Sequence, residues 1–392
     1  MTSSCKEQSD PLSLVIEEDT RLRTIASNPE YEVQILYTQI DRDSLNQPSF
    51  RTYAFGVNED QYFYPASTVK FPAVLLALEK MNQLGLPSDA RMKIDSAYAG
   101  QSKVWVDSTA DNLEPSVAHY AKKILLVSDN DAFNRLYEFV GQDDFNLGLQ
   151  DKGYRMSSIH HRLSIPLSAE ENARTNPLSL YIGDSLVYRQ EEQIGKADYQ
   201  SAQPILKGKG YLSGEEIINE PFDFSSKNYF PLREQHEMIQ ALIFPESFPD
   251  RAFDLRPADR QLVLKYSSIL PGESEIEAYQ DVTHYWDAYA KFLMYGSEPG
   301  IRIPSNIRIF NKIGLAYGFS IDNAYIIDTD RKIEFFLSAV IHTNPNQIYN
   351  DGIYTYEETA FPFLARLGQL IYQLEVDRTR TYPPIFENIL MN

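Results

Sequence analysis

The stretch YPASTVKFPAVLLALEKM, residues 64–81, decides how the chain is read. Ser67 stands three residues before Lys70, and an apolar run of helical spacing follows. Pro72 lacks an N–H and is tolerated best in a first helical turn, so the helix starts near Ser67. Residues at i and i+3 share a helix face, which puts the lysine within reach of the hydroxyl. The helix dipole favours negative charge developing on an oxygen at that end. A serine hydroxyl is a poor nucleophile until a base removes its proton, and a lysine desolvated in a cleft can be that base. The spacing alone is not decisive, because Ser3 and Lys6 in the N-terminal tail repeat it. An N-terminal serine and a snorkelling lysine at the start of a buried helix fit the same eighteen residues.

The flanking sequence sets the frame. Asp10 and Pro11 read as N-cap and first residue of a helix that carries Leu14, Val15, Leu22 and Ile25 and ends near Asn28 and Pro29. YEVQILYTQI (31–40) and RTYAFGV (51–57) read as two antiparallel strands. SVAHYAKKILLVSDNDAFNRLYEFV (116–140) reads as two helices broken at Ser128, Asp129 and Asn130. Residues 153–177 read as a long irregular loop, and 178–222 as an extended insertion. Helical patterns return around 231–243 and 281–294. SNIRIFNKIGL (305–315), NAYIIDT (323–329) and KIEFFLSAVIH (332–342) read as three strands. Thr355 and Glu358 form a capping-box pattern before a last helix ending near Leu374. The expected fold is α+β: an antiparallel sheet built from both chain ends with flanking helices, plus an all-helical lobe. Residues 11–72 and 300–392 would form a discontinuous α/β lobe, and 73–299 the helical lobe with its insertion at about 178–222. Residues 1–10 would be a disordered tail. A cleft between the lobes is the natural site.

Composition narrows the partners. The chain has 392 residues, 43% of them hydrophobic and 12% aromatic, ample for a large core. Its formal charge, 36 minus 55, is −19. That acidity argues against nucleic acid and an anionic membrane surface as partners, since both need a basic face. No run of 18 apolar residues occurs that would cross a membrane. Cys5 is the only cysteine, so no internal disulfide forms. Its context, MTSSCKEQSD, resembles the end of a bacterial lipoprotein signal, with Cys5 as the lipidated residue. An upstream apolar segment would have to precede Met1 for that, and a free thiol in a tail is the alternative. Under the lipoprotein reading the protein is expected in the bacterial cell envelope, periplasmic and lipid-anchored.

Two further motifs change the weight of Ser67 and Lys70. Ser128-Asp129-Asn130 follows 61 residues after Ser67, and Lys312-Ile313-Gly314 stands among the C-terminal strands. Ser-x-x-Lys, Ser-Asp-Asn and Lys-Thr-Gly, in that order, are the set found in class A β-lactamases and penicillin-binding proteins. FRTYAFGVNEDQYFYPASTVK, VAHYAKKILLVSDNDAFNRLYEFVG and KIGLAYGFSIDNAYIID resemble the family's segments around each motif. Residues 31 to about 153 and 300 to 375 resemble that family; 178–222 do not.

The resemblance implies roles. Ser67 would be the acylated nucleophile, Lys70 its base or proton relay, and Ser128 the group that passes a proton to the leaving nitrogen. Asn130 would hold the substrate's side-chain amide, and Lys312 would supply positive charge to a substrate carboxylate. The N–H groups of Ser67 and of Leu315, next to Gly314, would form the oxyanion hole. Two departures stand out. Ile313 replaces a threonine or serine whose hydroxyl helps bind the β-lactam carboxylate, a loss of about 1–3 kcal/mol if that group stays desolvated. The family's deacylating glutamate is also missing. Aligning Arg162-Leu163 puts Leu167 at its place, and aligning on the following proline puts Ile165 there, before Pro166. Glu170 and Glu171 are the nearby candidates for the role, with solvated loop acids as the alternative.

Other chemistries fit less well. His236-Glu237 begins the H-E-x-x-H zinc pattern, but position 240 is glutamine. His160 and His161 are adjacent and lack ligand spacing. No G-x-S-x-G elbow or phosphate-cradling loop occurs, and nothing calls for a metal or cofactor. The expected function is a serine acyl hydrolase acting on a small molecule, with β-lactam hydrolysis first and slow deacylation a consequence of the missing acid. A penicillin-binding D-alanyl peptidase or another amide or ester hydrolase is the second reading. A non-catalytic surface lipoprotein using the cleft for binding is the third. The sequence leaves oligomeric state open.

Overall fold

Apolar runs from opposite ends of the chain meet in one sheet. The computed structural model describes residues 10–387, 389 and 390, so Cys5 lies outside the described residues. Five antiparallel strands stand in the spatial order Ile307–Ala316, Phe319–Asp328, Ile333–His342, Gln34–Arg42, Pro48–Phe55. Gln34 faces Val340 across one ladder and Ile35 faces Phe55 across the next, which joins the N-terminal hairpin to the C-terminal meander. Phe319–Asp328 and Ile333–His342 are buried at every position. Their apolar character is therefore nearly continuous rather than alternating, as for strands covered on both faces.

One face is covered by α1 (Pro11–Glu18), α2 (Thr20–Ala26) and the last helix, Phe361–Asp377. Leu12, Leu22, Phe363 and Leu367 pack there on Ile35, Ile326, Phe335 and Leu337. The N-terminal helix is thus split in two. The Asp19 carboxylate accepts the N–H groups of Arg21 and Leu22, each at 3.0 Å, and so caps a new helix where one continuous helix was expected.

The remaining helices are α3 (Lys70–Gln83), α4 (Val117–Val127), α5 (Asn130–Val140), α6 (Gln142–Asp151), the short α7 (Ala169–Ala173), α8 (Leu232–Ile243) and α9 (Pro257–Ser268). Phe361–Asp377 completes them as α10. α3, α4 and α5 share a core with Leu75, Tyr120, Phe133 and Leu136 at 0% exposure. α8 belongs to the sheet instead. The His236 ring bonds Thr38 Oγ1 and Ser338 Oγ, both at 2.8 Å, across two adjacent strands. Burial holds that imidazole neutral, down to about 3, so the histidine that begins the zinc-like pattern is a core hydrogen-bond bridge.

Residues 178–222 form short hairpins. Leu178–Ile182 pairs with Ser185–Gln190 and, on its other side, with Arg91–Ile94. Two expectations fail elsewhere. Residues 281–294 make turns rather than a helix. The buried Asp322 carboxylate takes the N–H groups of Phe292 and Leu293, each at 3.0 Å, which draws those amides away from helical partners. Thr355 makes no capping bond, and a π-turn over Tyr356–Ala360 leads into α10. α10 then runs three residues beyond Leu374, to Asp377.

Candidate active site

Three backbone discontinuities bring the motif residues together. The first is a 3-10 turn, Ala66–Val69, leading into α3. Ala66 has φ +50°, a left-handed conformation that a side chain with a Cβ disfavours, immediately before Ser67. Ser67 remains half-exposed, while Lys70, the first residue of α3, is fully buried.

The second is the break between α4 and α5. Ser128 has φ +59° and ends α4, its N–H bonding Ile124 O at 3.1 Å. Asp129 caps α5 by accepting the N–H of Ala132 at 2.7 Å. Each residue of the tripeptide thus has a backbone task as well: one stops a helix, the next starts another, and Asn130 is that helix's first residue.

The third is the sheet edge. Gly314 lies against the turn before Ser67. A Cβ built there would stand 2.7 Å from Pro65 O and 3.0 Å from Thr68 Cγ2, so only glycine permits the approach.

The side chains converge on Ser128. Lys70 Nζ donates to Ser128 O, to Ser128 Oγ at 3.2 Å and to Asn130 Oδ1 at 2.6 Å. Lys312 Nζ donates to the same Ser128 Oγ at 2.7 Å and to Ile313 O at 3.0 Å. Burial pulls Lys70 down to about 7, with Asp129 opposing. Burial, then the neighbouring charge of Lys70, drives Lys312 well below the ordinary lysine range. A desolvated amine that loses its proton near neutrality can act as a base. Ser67, Ser128, Asn130, Ile313 and Leu315 line one cavity of about 760 Å³. No hydrogen bond joins the Ser67 hydroxyl to Lys70 or to any other described residue.

The loop after Gly153 is built differently. Arg162 anchors it, with Nε on the buried Glu138 carboxylate at 3.0 Å and Nη2 on Arg174 O at 2.9 Å. Glu171 does not face the site: its carboxylate accepts the Ser168 N–H and hydroxyl, both at 2.8 Å, in a capping box that starts α7. Glu170 is exposed on α7 and bonds to none of the motif residues. Ile165 is exposed at 42%. What reaches the site is Ser164, whose Oγ accepts from Asn130 Nδ2 at 2.8 Å. No described carboxylate hydrogen-bonds Lys70, Ser128, Asn130 or Lys312. Nothing in the sequence singled out Ser164. It follows Arg162-Leu163 and has φ +57°, a turn that only the folded loop reveals.

His160 and His161 pack under this loop. Burial pulls both below the ordinary histidine range, His161 down to about 3. Among the described residues no three His, Cys, Asp or Glu side chains group as metal ligands, and no helix is long and apolar enough to cross a membrane.

Comparison with known proteins bears on the fold. A model of the β-lactamase enzyme family matches residues 19–191, the segment that holds Ser67, Lys70, Ser128 and Asn130. The structure is similar to an ancestral class A β-lactamase (GNCA), with a TM-score of 0.51 and 14% identity over 92% of this chain and 99% of that one. It is similar to PBP-A with a TM-score of 0.50 and 12% identity over 93% and 94%. No curated protein matches the chain in sequence. The chain therefore has a β-lactamase-like fold, and its residues 19–191 resemble the β-lactamase enzyme family.

Proposed function

We propose that the protein is a serine acyl hydrolase that forms an acyl-enzyme at Ser67, with β-lactam amides as the first substrates to test. The observation that carries this is the meeting of Lys70 and Lys312 on one hydroxyl, Ser128 Oγ, at 3.2 and 2.7 Å, in the cavity that Ser67 lines.

In its neutral form Lys70 takes the Ser67 proton, and Oγ bonds to the substrate carbonyl carbon. The N–H groups of Ser67 and Leu315 stabilise the oxyanion. Ser128 gives its proton to the departing nitrogen as the C–N bond breaks, and is reprotonated from the lysine pair. Water must then cleave the ester, and no described carboxylate hydrogen-bonds the motif residues to activate it, Glu298 and Glu357 lining the cavity at its exposed rim. General-base help of that kind contributes typically about 10²–10⁴-fold, so acyl-enzyme accumulates.

The same missing acid favours the second reading, a penicillin-binding D-alanyl peptidase, over a fast resistance enzyme. A binding module has no need of Ser67, Lys70, Ser128 and Lys312 together. Intact-mass measurement after incubation with a penicillin tests the proposal. An adduct on the native protein, absent from Ser67→Ala, is the expected result. Labelling of the alanine variant contradicts the assignment.

A further inference from the structure

The cavity that begins at Ser67 does not end at the motif residues. It continues past the sheet edge to a wall formed by Trp286, Tyr289, Phe292 and Tyr295, closed by Phe361 at the start of α10. The wall is fixed in place. Trp286 Nε1 donates to Ser297 O at 3.0 Å and stands edge-on to Tyr289 at 5.3 Å, and Phe292 packs on Phe361 at 4.8 Å. Near Ser67 the lining is Val127, Ile313 and Leu315, and Leu315 is 37% exposed.

Charge is confined to the rim. Arg21, Glu298, Glu357 and Arg366, two of each sign, are all exposed. Arg366 is tied to Asp19 at 2.8 Å, and Arg21 donates to Glu358 O at 3.1 Å. The inner amine, Lys312, is already engaged: its Nζ donates to Ser128 Oγ and Ile313 O. Position 313, where a hydroxyl would meet a carboxylate, carries isoleucine. A carboxylate placed beside Ile313 would lose water without gaining that hydroxyl, and the rim arginines are already engaged by Asp19 and by Glu358 O.

Ser128 also lines this cavity, and it is the group set to protonate the departing atom. We infer that the site prefers an uncharged aromatic leaving group, an aryl ester or aryl amide, over one that carries a carboxylate. The inference rests on the acyl-enzyme at Ser67. In the step, the Ser67 Oγ–acyl carbon bond forms and the acyl carbon–aryloxy bond breaks. The Ser67 proton goes to Lys70, the Ser128 proton to the aryloxy oxygen, and water later releases the acid.

The test uses phenyl phenylacetate and 3-carboxyphenyl phenylacetate, which share an acyl group. Phenol release gives kcat/KM, and intact mass gives the adduct. The neutral ester is expected to be preferred by at least about tenfold. Trp286→Ala should lower kcat/KM for the neutral ester by about 10–100-fold, the scale of one lost aromatic contact surface, and narrow the preference. Ile313→Thr should raise the carboxylated ester several-fold (about 3–10) by restoring a donor. That arm decides alone if Trp286→Ala proves unfolded in a thermal melt. Equal or faster reaction of the carboxylated ester, with Ser67 acylated, overturns the leaving-group inference and leaves the acyl-enzyme standing. Acylation by a penicillin but by neither ester overturns it too. If neither ester nor a penicillin acylates Ser67, both fall.

Discussion

The two sides of the cleft use polar side chains for opposite purposes. On the Ser67 side, Lys70 and Lys312 come from separate elements and both point at the Ser128 hydroxyl, leaving two amines buried and depressed. On the loop side, the polar groups tie the loop down: Arg162 holds Glu138 of α5 and the Arg174 carbonyl, and Glu171 holds Ser168. The first arrangement keeps desolvated groups ready to exchange protons. The second removes its carboxylate from chemistry by using it as a helix cap. The proposed acyl-enzyme thus has a buried amine for its formation and no described carboxylate hydrogen-bonded there for its hydrolysis.

Lys70 provides the hardest way to break that contrast. Lys70→Ala removes the base and one of the two amines on Ser128. Its acylation rate constant with a penicillin should fall about 10²–10⁴-fold, followed by stopped-flow or quenched intact mass. A loss under tenfold would move the base elsewhere. A smaller effect follows from pH. Lys70 is pulled down to about 7, and only its neutral form accepts a proton. The free-amine fraction drops as pH falls through that value, so acylation should slow about tenfold between pH 8 and pH 6. A flat profile would show that Lys70 does not titrate there. The smallest effect belongs to the loop. Glu171→Gln keeps a side chain able to cap α7 and should leave deacylation within about twofold, where loss of a general base costs about 10²–10⁴-fold. A collapse in turnover for this variant would make Glu171 the base.

The contrast also explains what the sequence disclosed. The sheet strands were legible because buried strands carry dense β-branched and aromatic runs, and the break at Ser128 because Ser-Asp-Asn interrupts a helical period with capping residues. Ser67, Ser128 and Asn130 line one cavity and both Lys70 and Lys312 bond Ser128, the positions at which the family resemblance set the site, while the roles it implied stay part of the proposal. Gly314 acquired a reason only in three dimensions, from the carbonyl of Pro65. Residues 281–294 misled because Tyr285, Trp286, Tyr289, Phe292 and Tyr295 repeat at three to four residues, which mimics a helix. Trp286, Tyr289, Phe292 and Tyr295 instead line a cavity, and Asp322, distant in sequence, takes the amides a helix would need. Ser164 was invisible for a similar reason: its role depends on a left-handed turn and on Asn130, neither of which local pattern encodes. The helices α6 and α9 are mostly polar, so neither carries the apolar run by which α3 was read.

Pre-steady-state hydrolysis of a chromogenic β-lactam tests the central claim most directly. A burst of about one equivalent of product per Ser67, followed by a slow linear phase, is the trace expected when acylation has its base and deacylation lacks one. Fast linear turnover from the first turnover onward, with no burst, would contradict it.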